Sequence, residues 1–167
     1  MEIRRLKSED ASAYWTLRLE ALKTSPDAFI TTYEDAVARE NPVSEAADRM
    51  TSDNNFTYGA FIDSGLVGTV TMLRQSHKKF SHKADILAMY VSPRSRGKNI
   101  GKWLLQQAIE DARQIDIEQL LLGVVSTNEP AVRLYQSLGF TVFGTEKNAI
   151  KDGNIYFDEY MMVLFLT

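Results

Sequence analysis

The stretch Leu87-Ala88-Met89-Tyr90-Val91-Ser92-Pro93-Arg94-Ser95-Arg96-Gly97-Lys98-Asn99-Ile100-Gly101-Lys102-Trp103-Leu104-Leu105 decides how the rest of the chain is read. Its apolar opening predicts a buried strand ending at Val91. Pro93 stops that strand, and a turn rich in Arg, Gly and Lys leads directly into an apolar pattern at helical spacing. A strand, a short loop and a helix N-terminus therefore follow one another without interruption. Backbone N–H groups from Arg96 to Lys102 point out of the first helical turn, where the macrodipole adds partial positive charge. That arrangement suits an anion of the size of a pyrophosphate. Arg94, Arg96, Lys98 and Lys102 surround it with cationic side chains.

Spacing narrows the phosphate ligand. A nucleotide-triphosphate loop has four residues between its glycines and a Ser or Thr after its lysine, whereas Gly97 and Gly101 enclose three and Trp103 follows Lys102. A dinucleotide fingerprint needs three glycines in one βα turn, and this turn has two. The run Arg96-Gly97-Lys98-Asn99-Ile100-Gly101, preceded by Val91-Ser92-Pro93, instead resembles the acyl-CoA loop of the GNAT superfamily of N-acetyltransferases. Asn99 stands where that family has its first motif glycine. Asn is the residue after Gly that best tolerates positive φ, so the turn is expected to survive.

Further along, Asn128-Glu129-Pro130-Ala131-Val132-Arg133-Leu134-Tyr135-Gln136-Ser137-Leu138-Gly139-Phe140 resembles a second motif of the same superfamily. Ala131, Leu134, Tyr135 and Leu138 fall at i, i+3, i+4 and i+7 and share one helical face. The two motifs come in the family's order, and the resemblance covers nearly the whole chain.

Working outward, Ile3 and Leu6 predict a first strand. Ser8, with Asp10 close behind, offers an N-cap for a helix to about Leu22 whose broad apolar face includes Tyr14, Leu17 and Ala21. Residues 27–50 read as an irregular helical flap broken near Asn41-Pro42. A hairpin is predicted from Phe56–Ile62 and Leu66–Leu73 around Asp63-Ser64-Gly65, then a strand from about Lys83 to Val91. Ile100, Leu104, Ala108, Ile109 and Ala112 mark the buried face of the following helix. Leu120 to Val125 reads as a strand buried on both sides, and two last strands are predicted near Phe140–Thr145 and Ile155–Leu166, with Asp152-Gly153 in the turn. The pattern is a mixed α/β (α+β) single domain over 1–167. The resemblance implies a central twisted sheet of about seven strands with a splayed parallel pair, flanked by about four helices.

Composition sets bounds. With 44% hydrophobic and 25% charged residues, the 167-residue chain is expected to fold around its own core. It has no cysteine, which excludes disulfides, thiolate metal sites and a cysteine acyl-enzyme. Its balance of 19 basic against 22 acidic residues argues against nucleic acid as partner and suits a cationic amine. The polar N-terminus and the lack of a long apolar run lead to the expectation of a cytoplasmic protein that does not engage a membrane.

The resemblance implies acetyl-CoA as cofactor, no metal, and direct acetyl transfer to a primary amine of a small molecule or peptide, without a covalent enzyme intermediate. Its pantetheine arm would pair with Met89, Tyr90 and Val91, its pyrophosphate would sit on residues 96–102, and Asn128 and Ala131 would border the arm. Tyr135 is the implied general acid for the departing thiolate. For the base, Asp85 occupies the strand position of the catalytic glutamate of histone-acetylating members, and strict alternation puts it on one face with Leu87, Met89 and Val91. Glu34, Asp158 and Glu159 are alternative carboxylates, with Glu34 and Tyr33 assigned to substrate binding in the flap. His77 and His82 are not assigned. A non-catalytic acyl-CoA sensor is the alternative function. Homodimers are common in the family, and nothing in the chain marks an interface.

Overall fold

The computed structural model describes residues 1–166. Strands β1 (Glu2–Arg5), β2 (Asn55–Ile62), β3 (Gly65–Arg74), β4 (Lys83–Val91), β5 (Gln119–Val125), β6 (Thr141–Asp152) and β7 (Ile155–Phe165) form one seven-stranded sheet in the order β1-β2-β3-β4-β5-β7-β6. Helices are α1 (Ala11–Thr24), α2 (Tyr33–Val37), α3 (Pro42–Met50), α4 (Ile100–Gln114) and α5 (Glu129–Ser137). Among the described residues no helix is long and apolar enough to cross a membrane.

The β2–β3 hairpin closes on Asp63 and Ser64, both at positive φ (49° and 66°), as a two-residue turn compatible with strand twist requires. The expected stripe of α4 is buried and packs with Tyr58, Val70 and Met72 on one face of the sheet. Each fully buried Leu in it contributes roughly 1.5–3 kcal/mol. On the opposite face, Leu17 and Ala21 of α1 pack against Tyr90, and Ala46 and Met50 of α3 join Leu6, Ala11 and Phe61.

Two boundaries differ from the sequence reading. A 3-10 turn over Ser8–Asp10 precedes α1, and Asp10 acts differently from a simple cap: its carboxylate accepts two bonds from Arg4 (2.7 and 2.9 Å) and one from the Lys7 N–H (2.8 Å). β6 runs seven residues past Thr145, to Asp152, although Glu146-Lys147-Asn148 has little strand propensity. As an edge strand with one solvated side it tolerates polar residues, and two register shifts absorb the irregularity.

The feature that positions the site is the β4–β5 junction. These strands are parallel neighbours, yet only Lys83–Asp85 pair, with Gln119–Leu121. Beyond that point β5 stays with β7 while β4 departs with β3, which leaves a gap in the sheet. A bulge accompanies the departure. Thr69 pairs with Tyr90 and Thr71 with Leu87, so β4 has one residue too many, and Ala88 takes φ 51°.

Candidate active site

The gap opens onto the loop between β4 and α4. Gly97 (φ 76°) and Asn99 (φ 59°) both adopt the left-handed region, so Asn99 does what its position demands. The Trp103 N–H donates to the Asn99 carbonyl at 3.1 Å as the first bond of α4. The amides from Gly97 to Lys102 precede that bond, and the last four of them, Asn99 to Lys102, are the orphan donors of a helix start. The Arg96 N–H is already taken by the Pro93 carbonyl at 3.3 Å, which corrects the expected cradle: it begins at Gly97. Gly101 lets α4 approach closely, since a Cβ there would lie 2.7 Å from Met89 Cε and 3.2 Å from Leu134 Cδ2.

A cleft of about 650 Å³ runs from this loop into the gap. Met89, Tyr90, Val91, Arg96, Gly97, Asn99, Ile100, Gly101, Lys102, Asn128 and Ala131, the residues the resemblance assigns to the cofactor, line it. Lys98 and Tyr135 do not. The Asn128 carboxamide oxygen accepts from the Ala131 N–H at 3.4 Å, capping α5 at the cleft wall. Arg96 is tied back rather than mobile, with Nε donating to the Val91 carbonyl at 3.0 Å. Leu134, on the helical face already read from the second motif, also lines the cleft; Ser25 and Phe29 line it too and escaped the sequence reading, because no motif marks a segment that meets the loop only in three dimensions. Tyr135 is buried in the core, edge-on to Phe140 at 5.8 Å, and burial pushes its hydroxyl up to about 12. It therefore stays protonated at neutral pH.

The bulge overturns one geometric expectation. Ala84 and Ile86 join the core under α4, so Asp85 and Leu87 point to the α1 face. After Ala88 the alternation is displaced by one: Tyr90 meets Leu17 and Ala21 of α1, while Met89 and Val91 turn toward Gly101 of α4. Asp85 thus shares a face with Leu87 and Tyr90, and not with Met89 and Val91. Its carboxylate accepts from Gln75 Nε2, burial raises its pKa, and its register partner on β5 is Leu121. The Tyr90 hydroxyl donates to Glu20 Oε1 at 2.9 Å and lies 2.8 Å from Thr24 Oγ1, fastening β4 to α1.

Among the other carboxylates, Asp158 is engaged by Lys147 Nζ (2.8 Å) and the Asn148 N–H (2.9 Å), which hold it below the usual range. Glu159 is different. It makes no hydrogen bond or ion pair among the described residues and leans over β5, its Oε2 3.4 Å from where a Gly123 Cβ would sit. Burial raises its pKa, and Glu146 directly across the strand pair adds to the shift. Since Asp85 pairs with Leu121, Gly123 lies level with Leu87 across the gap, which sets Glu159 beside the bulge and Asp85 two residues behind it. At about 3.3 Å per residue that is some 6–7 Å. Tyr33 and Glu34 line a separate cleft of about 420 Å³ between the flap and the β6–β7 hairpin, with Phe29 on the wall of both clefts.

Residues 14–140 match the model of the acetyltransferase (GNAT) family. The chain belongs to that family. GNAT acetyltransferases draw their acetyl group from acetyl-CoA. The L-amino acid N-acetyltransferase AaaT of Escherichia coli is 31% identical over 105 residues, covering 62% of this chain and 64% of that protein. Alignments with the L-methionine sulfoximine/L-methionine sulfone acetyltransferase of Salmonella typhimurium, with AaaT and with the L-amino acid N-acyltransferase MnaT of Escherichia coli span 32%, 64% and 39% of those proteins' length. In fold, the GNAT acetyltransferase of Streptococcus pneumoniae superposes with a TM-score of 0.87 at 24% identity, over 99% of both chains. The yncA protein of Salmonella typhimurium, solved with its cofactor acetyl-CoA, gives 0.86 at 23% identity, over 100% of this chain and 94% of that one.

Proposed function

We propose that this chain transfers the acetyl group of acetyl-CoA directly to a primary amine of a small molecule or peptide, working as one domain over residues 1–167. The observation that carries the reading is the continuity of the cleft from the helix-start amides into the β4–β5 gap. The donor set fits the cofactor: the helix-start amides with the Lys102 ammonium group match a pyrophosphate, and Met89, Val91, Ala131 and Leu134 give an apolar wall for the arm. Because Arg96 already holds the Val91 carbonyl, strand-like pairing of the arm falls to the Met89–Tyr90 segment. The cofactor supplies an activated thioester.

The chain's residues supply the proton handling. Tyr135, protonated, donates to the departing sulfur, whose reference pKa as a thiol is about 8.5. Backbone N–H groups of Met89 or Tyr90 at the bulge donate to the acyl oxygen as negative charge develops there. Glu159, level with the bulge, attracts the ammonium form of the acceptor and receives its proton, with Asp85 behind it on the same face. The raised pKa of each carboxyl makes it a better base than an exposed carboxylate. Tyr33 and Glu34 border the acceptor's entry. With no cysteine in the chain, transfer needs no thioester on the protein.

The test is release of CoA thiol from acetyl-CoA against an amine panel, on wild type and Tyr135→Phe together. Amine-dependent release that falls about 10²–10⁴-fold in the variant, with acetyl-CoA affinity kept, is expected of a lost general acid. Binding of acetyl-CoA without transfer to any amine favours a sensor; no binding of acetyl-CoA overturns the assignment of the cleft.

A further inference from the structure

Helix α1 carries a charge where its apolar stripe should be continuous. Tyr14, Arg18 and Leu22 follow one another at i, i+4 and i+8, and Leu17 and Ala21 flank them on the buried side. Arg18 is thus in the middle of the face that α1 turns to the sheet. Its guanidinium lies 4.6 Å from the centre of the Phe29 ring, on the wall of the cofactor cleft. Among the described residues it has no hydrogen bond and no carboxylate partner. Three acids of the surrounding elements are engaged elsewhere: Glu20 by Tyr90, Glu45 by Arg39 and Asp10 by Arg4. Burial lowers its pKa, and Arg49 of α3 adds repulsion where a structural arginine would have found a carboxylate.

A third cavity, of about 330 Å³, lies on the α1 face of the sheet; Arg18 is not among its lining residues, but Tyr14 and Arg49, the two groups whose charges act on Arg18, are. Tyr14 and Arg49 line it together with Leu87 and Ala88 of the bulge, and Thr71. Leu87 is 43% exposed there, although it belongs to a central strand. The cavity therefore has the Arg49 guanidinium at its α3 end, with Arg18 of α1 close enough to feel that charge, an apolar wall, and Leu87 and Ala88 of the β4 bulge in its lining. A molecule with an anionic group and an amine a few bonds apart spans it; a diamine would place a second cation beside two guanidinium groups.

We propose that Arg18 binds the carboxylate of the acceptor, so that the substrates are amines that carry an anionic group, α-amino acids foremost. This rests on the acetyltransferase reading above. Arg18 gives charge-assisted hydrogen bonds to the carboxylate from the stacked position on Phe29, with Arg49 as the second cation at the cavity mouth. The amine then points to the bulge and to Glu159.

The experiment compares kcat/KM for the best of the twenty L-amino acids with that for its α-amide, on wild type, Arg18→Met and Arg18→Lys. Methionine keeps the apolar length over Phe29, and the ratio between variants cancels the different amine pKa of acid and amide. The expected result is at least a tenfold loss of the acid-to-amide preference in Arg18→Met, carried by KM, with partial recovery in Arg18→Lys and an unchanged acetyl-CoA Kd. A preference that is equal in wild type and Arg18→Met overturns the proposal, as does a wild type that acetylates only diamines or amides. If no amine is acetylated, the acetyltransferase reading fails, and calorimetry decides the carboxylate site by itself. Binding of N-acetyl-L-leucine that exceeds binding of its methylamide and is lost in Arg18→Met upholds the site; equal or absent binding overturns it.

Discussion

Replacing Asn99 by Ala isolates the conformation of the cofactor loop. At φ 59° and ψ 15° the residue is in the left-handed region, and its side chain makes no capping hydrogen bond, so the usual loss of about 1 kcal/mol for a removed N-cap does not enter. What remains is the backbone. A left-handed L-residue costs roughly 1–2 kcal/mol, and Asn relieves part of that through its short polar side chain, which leaves about 1 kcal/mol between Asn and Ala. That free energy must appear in one of two places. If the loop keeps its shape in Asn99→Ala, stability falls by about 1 kcal/mol, or about 2–4 °C in Tm for a chain of this size. If it relaxes in the free protein, the same amount returns as a Kd for acetyl-CoA about fivefold weaker, at about 1.4 kcal/mol per decade. Asn99→Gly is expected to be nearly neutral, because relief of strain is offset by a gain in unfolded-chain entropy of about 0.4–1 kcal/mol. Differential scanning calorimetry and isothermal titration with acetyl-CoA on the three proteins measure both terms. Unchanged Tm and Kd in Asn99→Ala would refute the argument that a left-handed Asn99 shapes the cradle, and equal damage in the Gly variant would shift the role to the side chain.

Two further outcomes follow from charge. Asp10→Asn removes the two-bond pair with Arg4, whose own side chain is one third exposed, and is expected to cost about 1–2 kcal/mol at neutral pH. Arg4, first through its hydrogen bonds, lowers the Asp10 pKa, so this stability is fully present above the unfolded pKa of about 3.9 and is lost as pH falls through the lower folded value. The Tm gap between wild type and variant should therefore narrow below about pH 4, and a gap that widens there contradicts the pairing. Glu159→Gln is expected to lower kcat/KM for the amine by about 10²-fold with acetyl-CoA affinity kept. In wild type the rate should also fall as pH drops through the raised Glu159 pKa, since only the carboxylate accepts a proton; an unaltered acid limb in the variant would remove Glu159 from the reaction.

Local chemistry was legible in the chain. The Pro93 stop, the loop from Arg96 to Gly101, the α4 stripe and the Asn128 cap depend on neighbours within a turn or two, so their spacing specifies them. Even the departure at Asn99 could be read, because positive φ is a local demand that Asn meets. The length of β6 was not legible: its polar middle is held as a strand by β7, which no propensity records.

What the sequence determined by itself, then, is the family, the order of elements and the local turns and helix starts, all carried by contiguous segments. Only the tertiary structure decided which carboxylates and cations lie on the α1 face beside the β4 bulge. One extra residue in β4 at Ala88 reverses the facing of everything after it, and a period-2 reading of the sequence has no means of registering that slip. Glu159 leans over Gly123 because β7 pairs with β5 and the glycine leaves room above the strand, and Arg18 has no carboxylate partner among the described residues once α1 has packed against Phe29. Both facts are sums over segments far apart in the chain, and they exist only once the sheet has closed.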